Sequence, residues 1–205
     1  MYKTEQEEFW AGAFGEGYIE RNQGDVMIAS NLSFFIHALK QTEKIYSCIE
    51  FGANIGLNLK ALKLLYPNLQ AKAIEINANA AKELAGFLGE ENVFHGSIFD
   101  WHADMQVALA LSKGVLIHIN PDLLDLAYQK LYDASSKYIL ICEYYNPTPV
   151  AIPYRGHDDR LYKRDFAGDM LDKFGDLILL DYGFTYRRDT VFPSDDITWF
   201  LLKKK

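Results

Sequence analysis

The stretch IYSCIEFGANIGLN, residues 45–58, constrains this chain more than any other. An apolar run rich in β-formers ends in a carboxylate, Glu50, passes through Gly52 and Gly56, and becomes a helical pattern. That is the order of a buried parallel strand, a tight turn and a helix opening onto a ligand. Gly52 lets the backbone swing sharply and keeps the space above it clear of a Cβ; Gly56 lets the next helix lie close to the sheet. The amides of the turn, with Ala53 and Asn54 between the glycines, face the ligand.

The spacing also says which ligand. A dinucleotide fingerprint, G-x-G-x-x-G, requires glycine where Asn54 and Leu57 stand, and no Walker-type phosphate loop is present. The acidic-x-Gly-x-x-x-Gly pattern instead places the Glu50 carboxylate where it suits a cationic amino group. S-adenosylmethionine carries such a group on its methionine half. A second strand, residues 71–77, carries Glu75 nineteen residues after Gly56. An acid at the tip of the second strand is placed to accept both ribose hydroxyls, and Glu75 with its neighbour Ile76 is assigned to the cofactor. A ligand-free strand, turn and helix is the alternative.

The chain has 205 residues, 49% of them hydrophobic and 14% aromatic, which fits one domain with a full α/β core. A net charge of −7 argues against nucleic acid as partner. Residues 1–10 are polar and acidic and no apolar run nears the length of a membrane span, so a cytoplasmic protein is expected. Cys48 and Cys142 sit in strand-like runs and read as buried packing, without a local partner for zinc.

Residues 3–13 predict a short amphipathic helix, residues 14–22 a glycine-bearing turn, and residues 25–41 a second helix. This opening, residues 1–44, reads as a helical lid over the cofactor pocket, with Tyr18, Arg21 and Asn22 reaching the methionine carboxylate or the substrate. Residues 45–205 form the core. Helices are expected at 55–66 and 77–88 and a third strand at 91–95. In the loop that follows, Ser97, or Asp100 further along, faces adenine, with Ile98 and Phe99 flanking the ring. Residues 106–120 hold the fourth strand, with Lys113, His118 and Asn120 at its carboxyl end. A helix opens at Pro121, and a fifth strand runs over 137–143. Residues 144–165 are the least periodic segment, and a loop of that length is usually functional. Its cations Arg155, Arg160, Lys163 and Arg164 predict a local anion site. A helix to about residue 174 and an antiparallel hairpin, 177–186 with 197–202, close the chain.

Strand and helix alternate about five times before the hairpin, which gives a mostly parallel sheet with helices on both faces. This arrangement, with the glycine turn and Glu75, resembles the single-domain, Rossmann-like, seven-stranded fold of class I S-adenosylmethionine-dependent methyltransferases. Longer blocks narrow the likeness: Phe9-Trp10 with Phe14-Gly15 and Tyr18-x-x-Arg21-Asn22; Gly52 to Lys60; Lys113 to Pro121; Ile141 to Pro149; Tyr154-Arg155-Gly156; and Arg164 to Gly168. Together these resemble the pseudaminic acid biosynthesis-associated methylases, found with genes for the nonulosonic acid sugars of bacterial flagella and surface polysaccharides. The resemblance implies a sugar-pathway acceptor, free or nucleotide-activated. Phe51 departs from the aliphatic or small residue usual in such turns, which alters packing and not chemistry.

Methyl transfer is an in-line displacement in which the protein chiefly positions the nucleophile. His118, Glu143 and His157 are the candidate bases. Tyr144, Tyr145 and Asn146 are expected to wall the acceptor pocket, with the four loop cations binding an acceptor phosphate or carboxylate. A non-catalytic S-adenosylmethionine-binding or assembly protein, a methyltransferase of protein or RNA, and a nicotinamide enzyme are the rival readings. Oligomeric state is open.

Overall fold

The computed structural model describes residues 2–22 and 24–205. Seven strands form one sheet in the order β3-β2-β1-β4-β5-β9-β8, where β1 is Ser47–Phe51, β2 Gln70–Glu75, β3 Val93–His95, β4 Val107–Lys113, β5 Ser135–Glu143, β8 Leu177–Phe184 and β9 Thr198–Lys204. The first five pair in parallel, and β9 runs antiparallel to both β5 and β8. The predicted mixed sheet with its closing hairpin is the one observed.

The central strands are apolar on both faces, as strands covered by helices on each side must be. On one face Cys48, Leu109, Leu111, Leu140 and Cys142 pack with Phe34, Phe35, Leu59 and Leu62. These come from α3 (Asp25–Ala38) and α4 (Leu57–Leu65). On the other, Ile49, Phe51, Ala110, Ile139 and Ile141 meet Leu131, Phe166 and Met170, from α6 (Leu124–Ala134) and α7 (Phe166–Lys173). Phe51 is fully buried with its ring edge-on to Trp101 at 5.5 Å, a packing role. Helix α5, Ala78–Leu88, covers β2 and β3. Both cysteines are buried. No helix among the described residues is long and apolar enough to cross a membrane.

Two expectations change. Residues 14–22 are not a turn: α1 (Glu5–Ala11) is followed at once by α2 (Ala13–Arg21). Glycine favours a turn in isolation, but Gly15 is needed for closeness. A Cβ there would lie 2.0 Å from the Trp10 carbonyl oxygen and 3.0 Å from Asn77 Nδ2. The 144–165 segment is also more ordered than its composition implies, since β6 (Val150–Ala151) and β7 (Tyr162–Lys163) pair within it. Helix α3 buries Phe34, Phe35 and Ala38 in the core, leaving α1 and α2 above the carboxyl ends of the parallel strands.

Candidate active site

At the end of β1 the chain enters the left-handed region three times, at Gly52 (φ 68°), Asn54 (φ 49°) and Gly56 (φ 78°). The turn is pinned to β2, because the Gly52 and Ala53 amides both donate to the Ile74 carbonyl, at 2.9 and 3.0 Å. A Cβ on Gly52 would meet Val115 Cγ2 at 2.7 Å, so the space kept clear lies under the loop after β4. At Gly56 it would meet Leu84 Cδ1 at 2.6 Å. The close approach Gly56 permits is therefore to α5, and not to the sheet. Asn54, one of the few non-glycine types that adopts this conformation cheaply, donates its amide to Glu75 Oε2 at 2.7 Å.

Glu50 does not line the cleft. It lies fully buried beneath it, with Oε1 accepting from Asn58 Nδ2 at 2.6 Å and Oε2 without a partner. Burial pushes its carboxyl up to about 8, opposed by the Asn58 hydrogen bond and by the charge of Lys113. Asn58, which sequence reasoning missed, does line the cleft. Its nitrogen is held by Glu50, and its Oδ1 is buried without a partner among the described residues, as is Oδ1 of Asn54. Buried acceptors without donors are costly, so three such oxygens at one turn fit a ligand rich in N–H groups. The available signal was a lone amide in the first turn of an otherwise apolar helix start.

Glu75 lines the cleft and bridges its loops, with Oε1 taking the Asn77 amide at 2.7 Å and Oε2 that of Asn54. Burial raises its pKa despite these bonds. Asn77 caps α5 through Oδ1 and donates from Nδ2 to the Ala11 carbonyl at 3.3 Å, which ties the first helix down. Ser97 donates to Glu7 of α1 and accepts the Phe99 amide at 3.0 Å. Ile76, Ile98 and Phe99 complete that wall, whereas Asp100 turns outward to Lys3 at 2.5 Å.

At the other end of the cleft stand Trp10, Tyr18, Asn22, Asn31, Lys113, His118 and Asn120. Trp10 and Asn31, unflagged in sequence, read there as ordinary apolar-face and helix residues. His118 Nδ1 lies 2.6 Å from the Arg160 carbonyl oxygen. A carbonyl only accepts, so the proton is on Nδ1 and Nε2 carries the lone pair. Burial holds the imidazole pKa down at about 4, so the ring is neutral at physiological pH.

Several predicted residues lie elsewhere. Glu143 is buried behind the cleft, where Oε1 accepts from Ser112 Oγ (2.8 Å) and from the Val115 and Leu116 amides (3.1 Å each), and Oε2 from Ile117 N (3.3 Å). It shapes the loop that carries His118 and touches no acceptor. Burial moves its pKa up to about 7 against these donors. Glutamine at 143 turns one acceptor into a donor facing N–H groups, so Glu143→Gln is expected to destabilise the protein by about 1–3 kcal/mol, measured by urea unfolding. His157 is exposed, its ring 5.2 Å from that of Phe9, and is no base here. Arg21 is exposed over the Phe14 ring.

The four loop cations do not converge. Arg160 pairs with Glu5 at 3.0 Å and with Asp159 at 2.5 Å, and Arg164 pairs with Asp169 at 2.8 Å. Lys163 sits over the Tyr144 ring, and Arg155 is exposed on a turn at φ 52°. Tyr144, Tyr145 and Asn146 lie outside the cleft wall; Tyr145 packs near Phe200, and Asn146 Nδ2 donates to the Thr148 carbonyl at 2.6 Å. Nearby acids each take one cation, a neutralisation invisible in a count of basic residues. Arg160 instead fastens α1, so Arg160→Ala is expected to weaken cofactor retention severalfold and leave acceptor KM little changed. Dissociation rates in stopped flow check this.

No protein-family model and no curated protein sequence matches the chain. Solved structures do. Burkholderia thailandensis 1,6-didemethyltoxoflavin-N1-methyltransferase, with bound 1,6-didemethyltoxoflavin and S-adenosylhomocysteine, is similar at TM-score 0.70 over 97% of this chain and 87% of that one, with 14% identity. Magnesium protoporphyrin IX methyltransferase from Synechocystis PCC 6803, with bound S-adenosylmethionine, is similar at 0.64 over 100% of both chains, with 10% identity. The plantazolicin methyltransferase BpumL in complex with S-adenosylhomocysteine reaches 0.64 over 98% and 94%, with 12% identity. The chain has the Rossmann-like fold of the class I S-adenosylmethionine-dependent methyltransferases.

Proposed function

We propose that this protein is an S-adenosylmethionine-dependent methyltransferase acting on a small molecule, a sugar or nucleotide-sugar intermediate of nonulosonic acid synthesis. The observation that carries the cofactor assignment is the set of buried oxygens on Glu50, Asn54 and Asn58, around the turn after β1, that have no partner among the described residues. The sugar assignment rests on the resemblance of the long sequence blocks to those of the pseudaminic acid-associated methylases.

Bound S-adenosylmethionine supplies an electrophilic methyl carbon on a sulfonium. Asn54 and Asn58 accept from its amino group, with the Glu50 charge behind them. Glu75 offers its remaining lone pairs to the ribose, and Ile76, Ile98 and Phe99 flank the adenine beside Ser97. Lys113, Tyr18 and Asn22 close the methionine end. Helices α1 and α2 act as the lid, and the region around His118 receives the acceptor. Holding a nucleophile in line behind the methyl is worth roughly 7–11 kcal/mol.

Titration calorimetry with S-adenosylmethionine, followed by tritiated-methyl transfer to a panel of nucleotide-activated nonulosonates and their precursors, tests this reading. Binding with transfer to a panel member supports it. Binding that never leads to transfer makes this a binding protein. Absence of heat, with Glu75→Ala indistinguishable from the parent, removes the cofactor assignment.

A further inference from the structure

The chemistry of the acceptor can be narrowed by what surrounds His118. The Arg160 carbonyl fixes the imidazole as the Nδ1–H tautomer, and Nε2 has no partner among the described residues while the ring lines the cleft. The ring stands 4.6 Å from Trp10 and 5.3 Å from Tyr154, and Trp10 stands 5.4 Å from Tyr18. Aromatic rings therefore surround the imidazole at this end. Trp10 Nε1–H is itself buried without a partner, a donor beside that ring.

Tyr18 is raised to about 12 by burial first and then by the charge of Asp195, with Arg21 opposing. Of the loop cations, Arg160 and Arg164 are bound to acids, Lys163 lies over the Tyr144 ring, and Arg155 is exposed. Lys113 stands against α3, 6.0 Å from the Phe34 centroid, and acts on Glu50. At His118 burial lowers the pKa and the hydrogen bond to the Arg160 carbonyl opposes it.

Resting on the methyltransferase reading, we infer that the acceptor is a primary or secondary amine, bound as the free base with its N–H donated to His118 Nε2. A hydroxyl acceptor needs a base that takes its proton, and the His118 ring, backed at Nδ1 by a neutral carbonyl rather than a carboxylate and set among aromatic rings, is placed to accept a hydrogen bond and not a proton. An amine needs no such base. Its lone pair forms the N–C bond as the C–S bond breaks, and the C–S pair stays on sulfur, leaving a thioether. The positive charge passes from sulfur to nitrogen, where the rings of Trp10 and Tyr18 receive it. The new ammonium then releases a proton to water. Hydrogen-bonded to Nε2, the amine turns its lone pair away from the ring, so His118 is a positioning residue for the attack. Trp10 Nε1–H is available to an oxygen near the amine, as in an amino sugar.

The test pairs amino sugars with the same sugars bearing hydroxyl in place of the amine, free and nucleotide-activated, with products located by mass fragmentation. N-methylated product is expected, its rate rising with pH through the acceptor's own amine pKa. His118→Ala should lower kcat about 100-fold with cofactor affinity unchanged, and His118→Gln, which keeps an acceptor, should restore part of it. Independently of turnover, nitrogen-15 histidine NMR of the protein without cofactor should show Nδ1 protonated and Nε2 bare from pH 5.5 to 8. O-methylated product, an Nε2–H tautomer or imidazolium at pH 7, or cofactor binding without transfer to any amine would overturn the inference. Failure to bind S-adenosylmethionine at all would instead overturn the reading beneath it.

Discussion

Glu50→Gln is expected to make the protein more stable and a poorer binder of S-adenosylmethionine. The folded carboxyl keeps its proton to about pH 8 because burial penalises the charge, while the unfolded chain surrenders it above about pH 4.5. The folded state thus binds more protons across that window. Stability is fullest below pH 4.5 and falls as pH rises toward 8. Glutamine is isosteric, still accepts from Asn58, and has nothing to ionise. At pH 7 the gain should be on the order of 2 kcal/mol, a rise of about 4–8 °C in Tm for a chain of this size. Binding moves the other way. A cationic amino group above Asn58 favours the ionised carboxylate, so the parent should release a proton on binding near pH 7, and its affinity should rise with pH toward 8. Loss of that attraction costs roughly tenfold to a hundredfold in affinity, as for a hydrogen bond to a charged group. Calorimetry in two buffers of different ionisation enthalpy reads the proton directly. Equal heats in both buffers for the parent, with an unchanged Tm for the variant, would contradict the assignment.

Gly15→Ala should loosen α1 and α2 from the cleft. Alanine normally stabilises a helix by up to about 1 kcal/mol relative to glycine, and Gly86, in α5 with nothing near its missing Cβ, should show that gain. At Gly15 the added carbon would fall 2.0 Å from the Trp10 carbonyl oxygen, which no rotamer relieves. The junction between α1 and α2 must shift, and with it go the contact of Trp10 on His118 and the bond from Asn77 to Ala11. Proteolysis within residues 2–22 should accelerate at least tenfold and cofactor affinity should fall by about the same factor, while denaturant unfolding of the sheet changes little. The opposite outcomes expected of two Gly→Ala changes in helices make a matched comparison. A protected N-terminus in Gly15→Ala would refute the close packing.

The parallel sheet and its cleft were legible because both rest on local regularities. Apolar runs give buried strands, and the glycines at 52 and 56 give the turn between β1 and α4. What escaped depends on partners far away in sequence. The Gly15 and Gly17 pair reads as a turn until Trp10 and Asn77 are seen against the first of them. Glu50 reads as a ligand-facing acid until its depth places Asn58 in front of it. Glu143, at the end of a strand beside the cleft, looks like a base, but four donors from Ser112 and the 115–117 backbone already occupy its oxygens. The basic loop looks like an anion site, but three-dimensional pairing with Glu5, Asp159 and Asp169 neutralises Arg160 and Arg164. Charge and burial are properties of the assembled neighbourhood, and a linear pattern records only the composition.

Arg160 joins two jobs in one residue: its guanidinium grips Glu5 on α1 while its carbonyl orients the imidazole of His118. If α1 is the lid proposed above, displacing it would tug the same peptide that points the ring, and admission to the cleft would be coupled to the aim of its lone pair.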